Sequence, residues 1–194
     1  YAAAEKGVSW KYADHRKILA NQYVVAGFDI GKKRHPSHLA IFIKTYIEIK
    51  QGRKTESVPR YAQIYSEWFD HVNYSKQIEK LNQICEWFNI SVLRYDNTRS
   101  EFESYAEENQ LHYTMQPIVF TAKQKSIMAT TMEQLFDTKR IILVKDHDER
   151  QAKQFLSVNA NLEASESPLG HGDSFWSIGL AVSDSEDIIQ ARST

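Results

Sequence analysis

The spacing of apolar residues changes near residue 70, and this change restricts the fold more than any single motif does. Up to that point the chain reads in strands. YVVAGFDI (23–30) is a buried run of β-branched and aromatic residues, HLAIFIKTYIEIK (38–50) is longer, and RYAQIYSEWF (60–69) alternates. QGRKTESVP (51–59) has turn chemistry in Gly52 and Pro59. Short links between three strands predict an antiparallel meander. Beyond it, Tyr74, Ile78, Leu81, Cys85 and Phe88 recur at steps of four, three, four and three. That is one face of an amphipathic helix, which Asn73 or Ser75 can cap.

Strands and helices then alternate. ISVLRYD (90–96) reads as a fourth strand, SEFESYAEEN (100–109) as a short helix, and HYTMQPIVF (112–120) as a fifth strand that Pro117 assigns to an edge or an end. Thr121 can cap a long helix, AKQKSIMATTMEQLFDTK. RIILVKD is extended, DERQAKQFLSVN is helical, LEASESPLGHG is a loop and DSFWSIGLAVSD is a final helix. The order predicts an α/β fold: a mixed sheet, antiparallel over a three-strand meander and parallel elsewhere, flanked by α-helices. This is the arrangement of ribonuclease H-like folds. Residues 1–22 are polar and weakly patterned and read as a linker or lead-in, leaving 23–194 as the domain.

Composition excludes several classes. The 194 residues suffice for one domain with a real core. No run approaches a membrane span, and no signal peptide precedes the first strand. A single Cys85 excludes an internal disulfide framework and a cysteine zinc site, which fits an intracellular setting. The net charge of −1 announces no polyanion partner, yet basic residues cluster at Lys32–His35, at Lys50, Arg53, Lys54 and Arg60, and at Lys123 and Lys125. Such patches can bind phosphate, and each also reads as a solvated turn.

Three carboxylates stand out. Asp29 ends the first strand, inside VVAGFDIG. Asp96 ends the fourth, in LRYDNTR. Asp173 opens the last helix, in GHGDSFWSIGLA. In the predicted order the first and fourth strands are parallel neighbours, so their carboxyl ends meet, and the last helix can fold back beside them. Like charges so gathered resist ionisation unless a cation relieves them. Oxygen ligands suit Mg²⁺ or Mn²⁺, and two such ions can clamp both oxygens of an in-line phosphoryl displacement. Each Asp also has a plain reading. Asp29 before Gly31 suits a turn, Asp96-Asn97-Thr98 suits a strand-end turn, and Asp173 suits a helix N-cap.

GFDIG, LRYDNT and above all GHGDSFWSIGLA resemble the C-terminal nuclease domain of tailed-phage large terminase subunits, over about Tyr23–Asp184. The resemblance implies a metal-dependent endonuclease that cuts concatemeric double-stranded viral DNA during packaging, in the host-cell cytoplasm. Asp29, Asp96 and Asp173 would be its catalytic metal ligands, for two Mg²⁺ or Mn²⁺ ions. An ATPase domain would lie upstream, with the portal and small terminase as further partners and no membrane.

Other residues are secondary. His171 reads as a metal ligand, a group orienting a carboxylate, or a loop histidine. Lys33 and Arg34 follow the first strand at the rim of the cleft, and Lys123 and Lys125 open the long helix; all four are candidate DNA contacts. Asp146, His147 and Asp148 read as helix-start chemistry rather than a metal site. Phe175 and Trp176 read as core packing rather than a base-stacking pair. One alternative function keeps the fold and changes the substrate, as in a Holliday-junction resolvase or other ribonuclease H-like nuclease. Another is an actin-like nucleotide-binding module using FDIG, which needs a second glycine-rich loop, and none is visible. A non-catalytic interaction domain is a further alternative, and a metal titration discriminates it.

Overall fold

A computed structural model describes residues 5–7, 9–31, 35–144, 149–159, 161–163 and 172–183. The elements are β1 (Glu5–Gly7), α1 (Arg16–Leu19), β2 (Tyr23–Asp29), β3 (Ser37–Gln51), β4 (Lys54–Phe69), α2 (Tyr74–Trp87), β5 (Val92–Asp96), α3 (Glu103–Glu107), β6 (Met115–Ile118), α4 (Ala122–Asp137), β7 (Ile141–Val144), α5 (Arg150–Phe155) and α6 (Asp173–Val182). The strands form one sheet in the order β1-β7-β4-β3-β2-β5-β6. β3 pairs antiparallel with both β2 and β4, and every other pairing is parallel. β3 is thus the one reversed strand among those described. The predicted meander, the parallel crossovers and the edge position of the Pro117 strand are all present.

Helices cover both faces. Strand alternation decides which side chains meet them. Val24, Ala26 and Phe28 of β2 join Leu93 and Tyr95 of β5 under Ile78, Leu81, Ile84 and Cys85 of α2. Val25 and Val92 face the other way, into a core with Met132 and Leu135 of α4, Phe155 of α5, and Ile178 and Ala181 of α6. The helix ends follow their sequence signals. Asn73 Oδ1 accepts from the Lys76 N–H (2.9 Å), and Thr121 and Gln124 form a reciprocal capping box.

Two expectations are corrected. The turn predicted over 51–59 shrinks to Gly52 and Arg53, because Thr55–Pro59 pair with Tyr46–Lys50 of β3. Pro59 is tolerated there because β7 pairs with β4 only at Tyr61 and Ala62, so its missing N–H faces an edge. β3 and β4 therefore run beyond the sheet as a two-stranded ribbon. Within 1–22, read as a linker or lead-in, Glu5–Gly7 instead join the sheet as β1, Leu19 joins the core, and the Trp10 N–H donates to Ile64 O (2.6 Å).

Candidate active site

The period of two that sorts the core also sorts the acids. On β2, Val25, Gly27 and Asp29 share one face. On β5, Val92, Arg94 and Asp96 share the same one. That face is covered by α6, and β2 and β5 are parallel neighbours paired up to Phe28↔Tyr95. One residue further on, Asp29 and Asp96 stand side by side at the carboxyl ends of their strands.

Asp173 reaches them because α6 lies unusually close to the sheet. A Cβ on Gly27 would lie 1.9 Å from Ser177 O and 2.5 Å from Ala181 N, so only glycine admits the helix at that distance. From Gly27 the strand advances two residues to Asp29, while α6 steps back one turn from Ser177 to Asp173. The two paths converge. Two neighbours fix the helix further. Arg94 donates through Nη1 to Leu180 O (3.3 Å). His38, fully buried on β3, hydrogen-bonds Ser177 Oγ through Nδ1 (2.5 Å) and Ser66 Oγ through Nε2 (2.9 Å). Ser177 already donates its hydroxyl to Ser174 O (3.1 Å), so Nδ1 carries the proton and Nε2 accepts from Ser66. Asp173 is the first helical residue and Gly172 (φ 80°) is the N-cap, so Asp173 does not serve as the cap.

The three carboxylates open into one cleft of about 250 Å³. Asp29 and Asp173 are 8% and 5% exposed, and Asp96 is half-buried. Burial, then Asp173 and Asp96, raise the Asp29 carboxyl well above its ordinary range, with Lys125 acting against them. Burial also raises Asp96, opposed by hydrogen bonds from Thr98 and by Lys125 and Arg99. Thr98 is a small hub: its N–H and hydroxyl donate to Asp96 Oδ1, and its Oγ1 accepts from the Phe120 N–H (2.9 Å).

The predicted lysines part company. Lys125 lines the cleft, its Nζ 5.0 Å from the Trp176 ring centroid and 5.9 Å from that of Phe120. Lys123 is exposed and does not line it. Trp176, read as core packing, is buried and also forms cleft wall. Lys33, Arg34 and His171 lie outside the described residues, as do Asp146, His147 and Asp148. Glu101 is a cleft residue that the sequence does not announce. It lies between Ser100, in the left-handed region (φ 58°), and the fully buried Phe102. A turn acid has no periodic signal by which the sequence could single it out.

No protein-family model matches this chain, and no curated protein matches it. Solved structures do. The large terminase nuclease from thermophilic phage G20c aligns at TM-score 0.68 and 14% identity, covering 93% of each chain. The same nuclease with bound magnesium aligns at 0.65. The chain has the fold of a large terminase nuclease domain. The nuclease domain of bacteriophage SPP1 g2p with bound Mn aligns at 0.52 and 13% identity, over 98% of this chain and 96% of that one. The HK97 bacteriophage large terminase aligns at 0.55 and 12% identity, and the match spans 93% of this chain but 41% of HK97's.

Proposed function

We propose that this chain is the nuclease domain of a phage large terminase subunit. It hydrolyses phosphodiester bonds of double-stranded DNA with divalent cations, cutting concatemeric viral DNA during packaging. The observation that carries the reading is the convergence of Asp29, Asp96 and Asp173 on one cleft, from two strands and the helix that covers them. The shared fold, and the metals bound in the G20c and SPP1 nucleases, support it.

The donor set suits Mg²⁺ or Mn²⁺. It is all oxygen, and its burial makes the free carboxylates costly to ionise. Among the described residues, no three Asp, Glu, His or Cys side chains are grouped closely enough to hold an ion alone. That fits cations that retain water and take part of their coordination from substrate phosphates. Bound there, two such ions would polarise the phosphate and lower the pKa of the attacking water.

The chain's own residues prepare this chemistry. Asp29 and Asp96 sit on strand ends, so their positions are set by the sheet. Thr98 fixes one oxygen of Asp96. Lys125 supplies positive charge to the cleft, suited to a phosphate oxygen, while Trp176 and Phe120 restrict its movement. His171, two residues before Asp173, would join the site, and Lys33 and Arg34, which follow β2 in sequence, would contact DNA. An ATPase domain upstream agrees with the fraction of the HK97 terminase that the chain covers. Portal and small terminase would be partners of the full-length protein in the host-cell cytoplasm. No helix among the described residues is long and apolar enough to cross a membrane.

The test is incubation with supercoiled plasmid DNA and Mg²⁺ or Mn²⁺, with an EDTA control. Conversion to linear and shorter products only with metal is the expected result. Intact plasmid under all conditions, with no metal-induced rise in Tm, overturns the reading.

A further inference from the structure

The carboxylate cleft has a neighbour. Gly31 and His35, which line it, also line a second cavity of about 420 Å³. The rest of that cavity comes from the end of β4 and the start of α2, chiefly His71, Asn73, Tyr74 and Gln77. Its volume falls in the range of sites for small ligands, roughly 300–1,000 Å³.

The two cavities differ in charge. The first is lined by four carboxylates, Asp29, Asp96, Glu101 and Asp173. Among the described residues lining the second there is none; its polar groups are two imidazoles, two amides and a phenol. Every one of these can donate a hydrogen bond. A phosphodiester strand repelled by the first surface unless metals are present meets no carboxylate among the described residues lining the second, where His35, His71, Asn73 and Tyr74 carry groups able to donate.

The second cavity is also built rather than incidental. The Gly31 N–H donates to Ser37 Oγ (3.0 Å), the Ser37 hydroxyl donates to Gln77 Oε1 (3.1 Å), and Gln77 Nε2 donates to Val72 O (2.7 Å). Ser37 and Gln77 are 1% and 3% exposed. This buried relay ties the β2–β3 turn to α2 and fixes the cavity's shape. A Cβ on Gly31 would lie 2.3 Å from the backbone oxygens of His35 and Pro36, so the turn that joins the two cavities needs glycine. Tyr74 is braced by the Phe102 ring (centroids 5.8 Å apart).

We propose that this second cavity is a subsite for the DNA strand and receives the nucleotide next to the phosphate held at the carboxylates. The proposal rests on the nuclease reading. It assigns His71 and Tyr74 to substrate binding, with His35 bridging the two cavities.

The test uses His71, whose φ of 54° glycine and aspartate both tolerate. Binding of a short fluorescein-labelled duplex is measured by anisotropy in Ca²⁺, to neutralise the carboxylates without rapid cleavage, for the wild type, His71→Gly, His71→Asp and Ser57→Asp. Ser57→Asp adds the same charge at an exposed site on the distant ribbon. His71→Gly should weaken binding, and His71→Asp should weaken it about tenfold, the scale of one charge-assisted contact. Ser57→Asp should have little effect, and the metal-induced rise in Tm should be the same in all four proteins. Unchanged binding in both His71 variants overturns the subsite, as does equal weakening by Ser57→Asp. If the wild type binds DNA and responds to metal in either case, the nuclease reading stands without the subsite. A wild type that neither binds DNA nor responds to metal overturns both.

Discussion

Asp29 and His38 are cross-strand partners on β2 and β3, both polar and both nearly sealed from water. The fold treats them in opposite ways. His38 has a hydrogen-bond partner on each ring nitrogen, and burial, then Arg150, lowers its pKa to about 3, so it stays neutral. Asp29 is gathered with Asp96 and Asp173, and its carboxyl is pushed up by burial and by those neighbours. One polar group is used to seat α6. The other is left where burial and neighbouring acids penalise its charge. A buried polar residue with all its partners is architecture; one surrounded by its own charge is chemistry in waiting.

Breaking the functional half of the pair should have the largest effect. On the proposed reading, Asp29→Asn removes a metal-binding charge at nearly constant volume. Cleavage of plasmid DNA should fall by about three orders of magnitude, equivalent to about 4 kcal/mol of transition-state stabilisation. The metal-free Tm should hold or rise, because repulsion is relieved. Near-normal cutting would remove Asp29 from the site. Breaking the seat of the helix comes next. Gly27→Ala forces α6 off the sheet and should lower stability by about 3 kcal/mol, read by urea denaturation. A neutral result would mean that α6 is not packed as described.

His38→Ala tests the architectural half. It removes the acceptor of the Ser66 hydroxyl and the donor to Ser177 Oγ and opens a cavity, which should cost about 2 kcal/mol and weaken cleavage far less than Asp29→Asn does. Equal loss of cleavage in both variants would erase the distinction between the two residues. The pH dependence of the metal-free protein sharpens it. The raised Asp29 carboxyl gives stability that is full below its unfolded value near 3.8 and lost as pH rises through the folded value. The lowered His38 pKa gives stability that is full above 6.5 and lost as pH falls towards 3. Asp29→Asn should therefore flatten the decline of a Tm-versus-pH curve as pH rises above 3.8, and His38→Ala the decline as pH falls below 6.5. A curve unchanged in either variant would mean that group does not titrate as described. The smallest effect separates the two lysines. Lys125→Ala should slow cleavage about tenfold, the scale of one charged contact, while exposed Lys123→Ala changes it little. The reverse order would move the phosphate contact out of the cleft.

Much of this is legible in the sequence, for identifiable reasons. A carboxylate ending an apolar strand is conspicuous, so Asp29 and Asp96 can be read directly, and period two even assigns them a common face. Asp173 is visible as a helix-start acid, although its freedom from capping duty requires the Gly172 conformation. What escapes the sequence is non-local. β1 is three residues long and finds its partner β7 137 positions away, which leaves no local signature. Thr55–Pro59 carry turn chemistry and are kept extended only by pairing with β3. Glu101 and the relay through Ser37 and Gln77 depend on contacts between loops and helix, where neither hydrophobic period speaks.

The close seating of α6 on Gly27 has a consequence in time. Asp29 is made early, and Asp173 follows 144 residues later in the last described helix. Synthesis runs from the N-terminus, so the chain carries Asp29 and Asp96 before Asp173 exists, and a domain folds as a unit. On the proposed reading, the ability to cut requires α6 seated on the sheet, and a chain that stops before α6 lacks it. The order of synthesis itself delays the nuclease until α6 has been made and seated.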